Sequence, residues 1–345
     1  LPGGGAMHLN DSLGRCRELN YTCFIHEQAL GIAAEAWGQH TNTPGVALVT
    51  SGPGSTNTVT AVAAGYIDST PAFFISGQAK RADLKTGTGC RQVGSQEVDI
   101  VSIVSSITKY AVTVLEPNEI RYHLEKAWHE ATTGRMGPVW IDIPLDVQGT
   151  MIDEQHLQGF EPQTEPPAPL CGLDEVIAAL SASKRPLILA GNGVKMAGAQ
   201  NLLLDFARRN RIPMVLTWKT IDLLGYDDPL NFGCPGIMGT RFANFIVQNC
   251  DLLLIIGSRL EPSVTAFNSA DFARNARKVM ADIDPCEIRK VKGIDIGIAA
   301  DAAEFLEHLR AVDMPPHDEW LAYCSKVKER YPVVLPEYYE HPQEK

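Results

Sequence analysis

A glutamate, a glycine–proline turn and a set of residues at strand ends are the parts of this chain suited to chemistry. Glu27 follows His26 and opens a run of small and apolar residues to Gln39 that reads as a helix. By position alone it is a first-turn acid, favoured by the helix dipole. Ser51-Gly52-Pro53-Gly54 lies 24 residues further on, counted from Glu27 to Ser51. It is a tight turn in which glycine supplies φ freedom and proline fixes φ. Thr56 and Asn57 behind it suit a helix start. His8 reads either as an ordinary polar helix residue or as an acid or ligand contact. In the second half, Gly191-Asn192-Gly193 closes a strand, but G-x-G alone is weak evidence for a nucleotide, and Met196 occupies the sixth position of the full fingerprint. Thr217, Gly257, Arg259, Asp282 and Asp301 each end or follow a strand, where ligands of open α/β sheets sit. There an acid suits a ribose hydroxyl pair and an arginine suits a diphosphate.

The elements that position these residues are legible as alternating strands and helices. Residues 45–50, 71–76 and 138–144 read as strands of a first domain, with helices over 27–39, 56–68 and 117–133. Residues 186–191, 212–217, 251–257 and 278–284 read as strands of a second. The fold class is α/β: two open parallel-sheet domains with helices on both faces. The expected boundaries are 1–149, a proline-rich linker over 150–170, 171–312, and a tail over 313–345 leading toward a further domain. Leu1-Pro2-Gly3-Gly4-Gly5 already reads as a strand-to-helix turn, so the chain is read as a fragment that has lost its first strand and helix.

The 345 residues are 45% hydrophobic with a formal net charge of −11. That balance argues against a nucleic-acid or anionic-membrane surface. No apolar run approaches the ~20 residues of a membrane span, and no secretory signal is seen. Eight cysteines form no C-x-x-C pair, so neither zinc nor a disulfide framework is expected. Reduced, mostly buried thiols in a cytoplasmic protein are.

Taken together, Ile25-His26-Glu27-Gln28, Ser51-Gly52-Pro53-Gly54 and Ile75-Ser76-Gly77-Gln78 resemble, in order and spacing, the acetolactate synthase branch of thiamine diphosphate (ThDP) enzymes. Asp68-Ser69, Ile107-Thr108-Lys109-Tyr110 and Thr133-Gly134-Arg135-Met136-Gly137-Pro138-Val139 add to the match, which covers nearly all of 1–312. The resemblance implies a 2-oxoacid decarboxylase and carboligase acting on pyruvate and a carbonyl acceptor, working as a homo-oligomer with its site between subunits. It gives Glu27 the role of hydrogen-bonding N1′ of the aminopyrimidine, favouring the imino tautomer that deprotonates the thiazolium. A carboxyl in an apolar pocket, with a raised pKa, is suited to this. Gln96, with Glu97, is implied near the reacting atoms. Gly4, Gly5, Pro53 and Asn57 are implied near the cofactor, and His8 and Ser95 in the acceptor pocket. Acetolactate synthases usually have phenylalanine where Ser95 stands. The serine implies a wider, more polar space and admits a keto-sugar nucleotide acceptor, as in the flavin-containing carboligases of branched-chain deoxysugar biosynthesis.

The second domain resembles the central, FAD-binding domain of that branch. The carry-over uses Arg135, Gly191, Gly193, Thr217, Gly257, Arg259, Asp282 and Asp301. An empty structural domain, or one for another nucleotide, is the competing reading, and Ser263 stands where the branch usually has a second arginine. ThDP enzymes hold the diphosphate through Mg²⁺ with a Gly-Asp-Gly motif. This chain has none, so no metal ligand is assigned within it and Mg²⁺ is expected from an absent domain. A non-catalytic nucleotide-binding or regulatory module that kept two of three domains is the alternative.

Overall fold

In the computed structural model the described residues are 2–162 and 169–340. The chain forms two compact units, Leu1–Pro166 and Pro167–Lys345. Most of the polar part of the expected linker, residues 163–168, lies outside the described residues.

The first unit is built on a four-stranded sheet of β1 (Gly45–Val49), β2 (Ala72–Gln78), β3 (Tyr110–Thr113) and β4 (Pro138–Pro144), in the order β1-β2-β4-β3. All three pairings are parallel. The two central strands are buried at nearly every position, which is why both read as near-continuous apolar runs. One face packs Leu30, Val49, Val62, Phe74, Ile100 and Trp140, with Phe74 and Trp140 stacked at 5.3 Å. The other packs Phe73, Val114, Ala127, Val139 and Ile141. The helix Glu27–Thr41 ends where Asn42 takes a left-handed conformation, an ordinary stop for asparagine. The helix expected over 56–68 is two pieces, Pro53–Thr56 and Val59–Asp68. That expected over 117–133 is a 3₁₀ turn followed by Ile120–Thr132.

The second unit is a five-stranded parallel sheet of β5 (Pro186–Ala190), β6 (Met214–Leu216), β7 (Leu252–Ile256), β8 (Arg277–Asp282) and β9 (Ile296–Ala299), in the order β6-β5-β7-β8-β9. Side chains of β5 and β7 alternate between two cores. Ile188, Leu254 and Phe305 lie in one, and Leu187, Leu189, Leu253, Phe242 and Trp320 in the other.

Several expectations change here. β3 and β9 were not expected as strands; both are short and sit at sheet edges. The segment expected as a tail carries the helix Asp318–Arg330. Its Trp320 and Cys324 are buried in the second unit's core, and the Trp320 indole donates to Pro186 O at 2.8 Å. The cysteines are not mostly buried as expected: Cys234, Cys250 and Cys324 are, whereas Cys23, Cys90, Cys171 and Cys286 are exposed. The exposed four stand in connecting segments or a short helix, outside the apolar runs that fill the cores. Among the described residues no helix is long and apolar enough to cross a membrane.

Candidate functional site

The carboxyl ends of β1, β2 and β4 converge on one rim of the first unit. Glu27 is half-buried at the start of its helix, and the Asn57 amide donates to its Oε2 at 2.8 Å. Asn57 therefore serves the glutamate with its side chain. Gly54 stands beside Glu27, since a Cβ there would lie 3.8 Å from Glu27 Oε1 and 2.6 Å from Thr50 Cγ2. Pro53 occupies the first helical position of the turn, where its missing N–H costs nothing. Gly5 N donates to Thr50 Oγ1 at 3.2 Å, and the Gln148 amide donates to Gly5 O at 2.8 Å and to Ile143 O at 2.7 Å. Gln148 is thus a positioning residue for the glycine turn that sequence reasoning did not name.

Gly52 has φ +56, and a Cβ on it would stand 2.0 Å from Gln96 O. The turn after β1 and the Gln96 backbone are therefore in contact. Gln96 itself has φ +56, a conformation costing a non-glycine residue of order 1–3 kcal/mol that the surroundings must impose. Its side chain and that of Ser95 are exposed, whereas Glu97 is 4% exposed. Glu97 Oε2 has no hydrogen-bond partner among the described residues. His8 is exposed, with its ring over Gly149: a Cβ there would lie 3.2 Å from His8 Nε2. Glu27, Pro53, Asn57, Gly5 and Gln96 therefore belong to one rim, with Gly4 exposed beside Gly5.

The protonation expectation for Glu27 is corrected. Partial burial raises its pKa, but hydrogen bonds from Asn57 and from its own backbone outweigh burial, with His26 adding to them. The carboxyl is held below the usual carboxylate range, because its surroundings in this unit are polar and open. The strongly perturbed carboxyl is Asp142, inside β4 and 1% exposed. Burial pushes it up to about 7, against hydrogen bonds from Ser76, Gln78 and Thr113.

A half-buried carboxylate held by an amide, next to a glycine turn at strand ends, fits an aminopyrimidine: the acid can exchange a proton with a ring nitrogen. Among the described residues no group of three or more His, Cys, Asp or Glu could hold a metal ion.

In the second unit the chain runs from β5 to β6 on one side and returns to β7 on the other, so the sheet's switch point lies between β5 and β7. Gly191, Gly193 and Gly257 meet there. Gly193 N donates to Gly257 O at 2.9 Å, and a Cβ on Gly191 would stand 2.2 Å from Gly257 O. These glycines are required by the close approach of two strand ends. The helix opened by Gly193 is a single turn, Gly193–Met196, so no long helix dipole is aimed from it. Thr217 Oγ1 lies 3.2 Å from Thr220 Oγ1, and Arg259 is half-buried just beyond β7. Asp282 Oδ1 accepts from Asp284 N at 2.9 Å. Asp301 Oδ1 accepts from Ala303 N at 2.8 Å, capping the helix Ala302–Leu309. All seven lie at the carboxyl ends of the strands. Arg135 belongs to the first unit, in the turn leading into β4, and its Nε donates to Ser69 Oγ at 2.9 Å.

Residues 1–103 match the family described as thiamine pyrophosphate enzyme, N-terminal TPP binding domain. Residues 173–309 match thiamine pyrophosphate enzyme, central domain. The chain is 36% identical over 343 residues to the acetolactate synthase large subunit of Corynebacterium glutamicum, covering 96% of this chain and 53% of that protein. It is 35% identical over 342 residues to a probable acetolactate synthase large subunit of Methanocaldococcus jannaschii, covering 95% and 56%. It is 31% identical over 338 residues to the acetolactate synthase isozyme 1 large subunit of Escherichia coli K12, covering 97% and 58%. The chain spans about half the length of the curated relatives it matches. With an N-terminal TPP binding domain matched over residues 1–103 and a central domain over 173–309, the chain belongs to the thiamine pyrophosphate enzymes.

Proposed function

We propose that this chain supplies the pyrimidine-side half of the site, and the central domain, of a ThDP-dependent carboligase. The reaction would decarboxylate pyruvate and join the remaining two-carbon unit to a second carbonyl compound. The observation that carries the reading is the Glu27–Asn57 pair at the turn after β1. Asn57 fixes one carboxylate oxygen, so the glutamate meets a ring nitrogen in one orientation. ThDP, when bound, supplies the carbanion chemistry. The protein's part at this rim is to orient the pyrimidine and present the Glu27 carboxylate as the acceptor for a ring-nitrogen proton. Gly4, Gly5, Pro53 and Gln96 would line the cofactor, with Mg²⁺ and the diphosphate held by residues outside this chain. The second unit would hold FAD at the β5–β7 switch point through Thr217, Gly257, Arg259 and Asp282. The active protein would be a cytoplasmic homo-oligomer. The exposed Ser95 supports a wide acceptor space that takes a 2-oxoacid or a keto-sugar nucleotide.

The test is Glu27→Gln in the complete protein with pyruvate, ThDP and Mg²⁺. A fall of ~10²–10⁴-fold in pyruvate consumption, with an unchanged circular dichroism spectrum, is expected for loss of a proton-transfer group. Turnover at the wild-type rate would remove Glu27 from this role.

A further inference from the structure

We propose that Gln78 and Asp142 form a buried positioning pair that holds the Gln96–Val98 segment against the Gly52–Pro53 turn. Gln78 is the last residue of β2 and is 2% exposed. Its Nε2 donates to Val98 O at 2.8 Å and to Asp142 Oδ2 at 3.1 Å, and its Oε1 accepts from Ala79 N at 2.9 Å. These three bonds admit one amide orientation, since the backbone N–H must meet the amide oxygen and the carbonyl must meet the amide nitrogen.

Asp142 is placed to receive that amide by strand register. Ser76 and Thr113 are its neighbours across β2 and β3. Ser76 Oγ donates to Asp142 Oδ1 at 2.6 Å, and Thr113 Oγ1 donates to Oδ2 at 3.2 Å. The Trp140 indole donates to Ser76 Oγ at 2.9 Å. An indole N–H can only donate, so the serine spends its one hydrogen on Asp142. When Asp142 is ionised, both carboxylate oxygens are thus committed as acceptors. A network with every member satisfied in a low-dielectric interior is rigid, and here its free end is the Val98 carbonyl.

The tethered segment is the one whose position is least explained by its own chemistry. Gln96 has a left-handed backbone and touches Gly52 with its carbonyl. Next to it, Glu97 is buried with Oε2 unpartnered. The 16 residues 79–94 before it are mostly exposed, with Gly87 and Gly89 in open space at positive φ. Turn bonds hold Gly94 N to Asp83 O at 2.8 Å and Glu97 N to Gly94 O at 3.2 Å, and Ile100 is buried in the core, but the Val98 carbonyl is where a β2 side chain ties this stretch to the sheet. On the functional reading above, misplacing Gln96 by ~1 Å would cost up to ~10²-fold in rate.

The experiment measures amide hydrogen exchange of peptides covering 79–100 and turnover of pyruvate by the complete protein. Gln78→Met keeps the length of the side chain and removes the amide. Exchange over 94–100 should rise at least tenfold while β1 and β4 keep their protection, and kcat should fall more than KM rises. Gln78→Leu likewise removes the amide and adds no charge beside Asp142. It should show the same local loss if Gln78→Met does not fold. Asp142→Asn should stay close to wild type over 94–100, because its carbonyl can still accept from Gln78. Thr113→Val removes a donor that does not touch the tether, and should leave 94–100 unchanged. Unchanged exchange over 94–100 in both Gln78 variants would overturn the pair, as would an equal loss of protection across the whole unit. If the exchange behaves as expected but wild-type protein does not consume pyruvate, the functional reading fails and the tether stands.

Discussion

Replacing Asp142 with asparagine should remove a pH dependence from the stability of the first unit, and its size can be worked out. Asp142 titrates near 7 in the fold against an ordinary 3.8, because burial raises it more than Ser76, Gln78 and Thr113 lower it, with Asp99 adding to the rise. The folded value is above the unfolded one, so this group's contribution is complete below about 3.8 and is lost as pH rises toward 7. Above about pH 5 the unfolded chain carries the group ionised. Each further unit up to 7 then costs the fold about 1.4 kcal/mol. Between pH 5 and pH 8 the wild type should lose roughly 2–3 kcal/mol from this residue. Asparagine has no proton to lose. The other titrating groups are common to both proteins and cancel in the comparison. The assay is urea unfolding at pH 5, 6, 7 and 8, following the first unit's transition and subtracting variant from wild type. The difference should fall with pH up to about 7 and then level. Parallel curves from pH 5 to 8 would refute the argument, and with it the claim that Asp142 is a proton-binding group in the fold.

Gly52→Ala should destabilise the first unit by roughly 2–5 kcal/mol, since the new Cβ would stand 2.0 Å from Gln96 O at φ +56; a change under ~0.5 kcal/mol in urea unfolding would place the Gln96 backbone elsewhere. Ser95→Phe in the complete protein should impair a keto-sugar nucleotide acceptor far more than pyruvate self-condensation, with the ~1–3 kcal/mol of an overpacked site, and equal loss of both products in a competition assay would show that Ser95 does not select the acceptor. The complete protein should retain flavin absorbance after FAD addition and desalting and lose it in Gly257→Val, whose side chain would enter the β5–β7 junction; colourless wild-type protein would count against a flavin at the switch point.

The parts of this molecule legible in the sequence are those set by local pattern. β2, β4, β5 and β7 are buried along most or all of their length, so each appears as an uninterrupted apolar run. Tyr110–Thr113 is half-buried at every position, and Ile296–Ala299 alternates buried and exposed over four residues. Neither carries enough periodicity to be told from a loop. The site divides in the same way. Glu27 and the Gly52–Pro53 turn stand out as residues, but Asn57 is 30 positions from the carboxylate it holds, and only folding brings them together. Asp142 had a visible signal, an acid inside Val-Trp-Ile-Asp-Ile, where a buried strand tolerates charge only with partners. Those partners lie 29 to 66 residues away on two other strands. Their meeting depends on a register in which Ser76 and Thr113 both fall opposite Asp142. A slip of one residue would turn these side chains to opposite faces of the sheet and leave a bare carboxyl in the core. The network therefore penalises misregistered pairing of the central strands while it anchors the rim, so the same residues bear on both the fold and the candidate site.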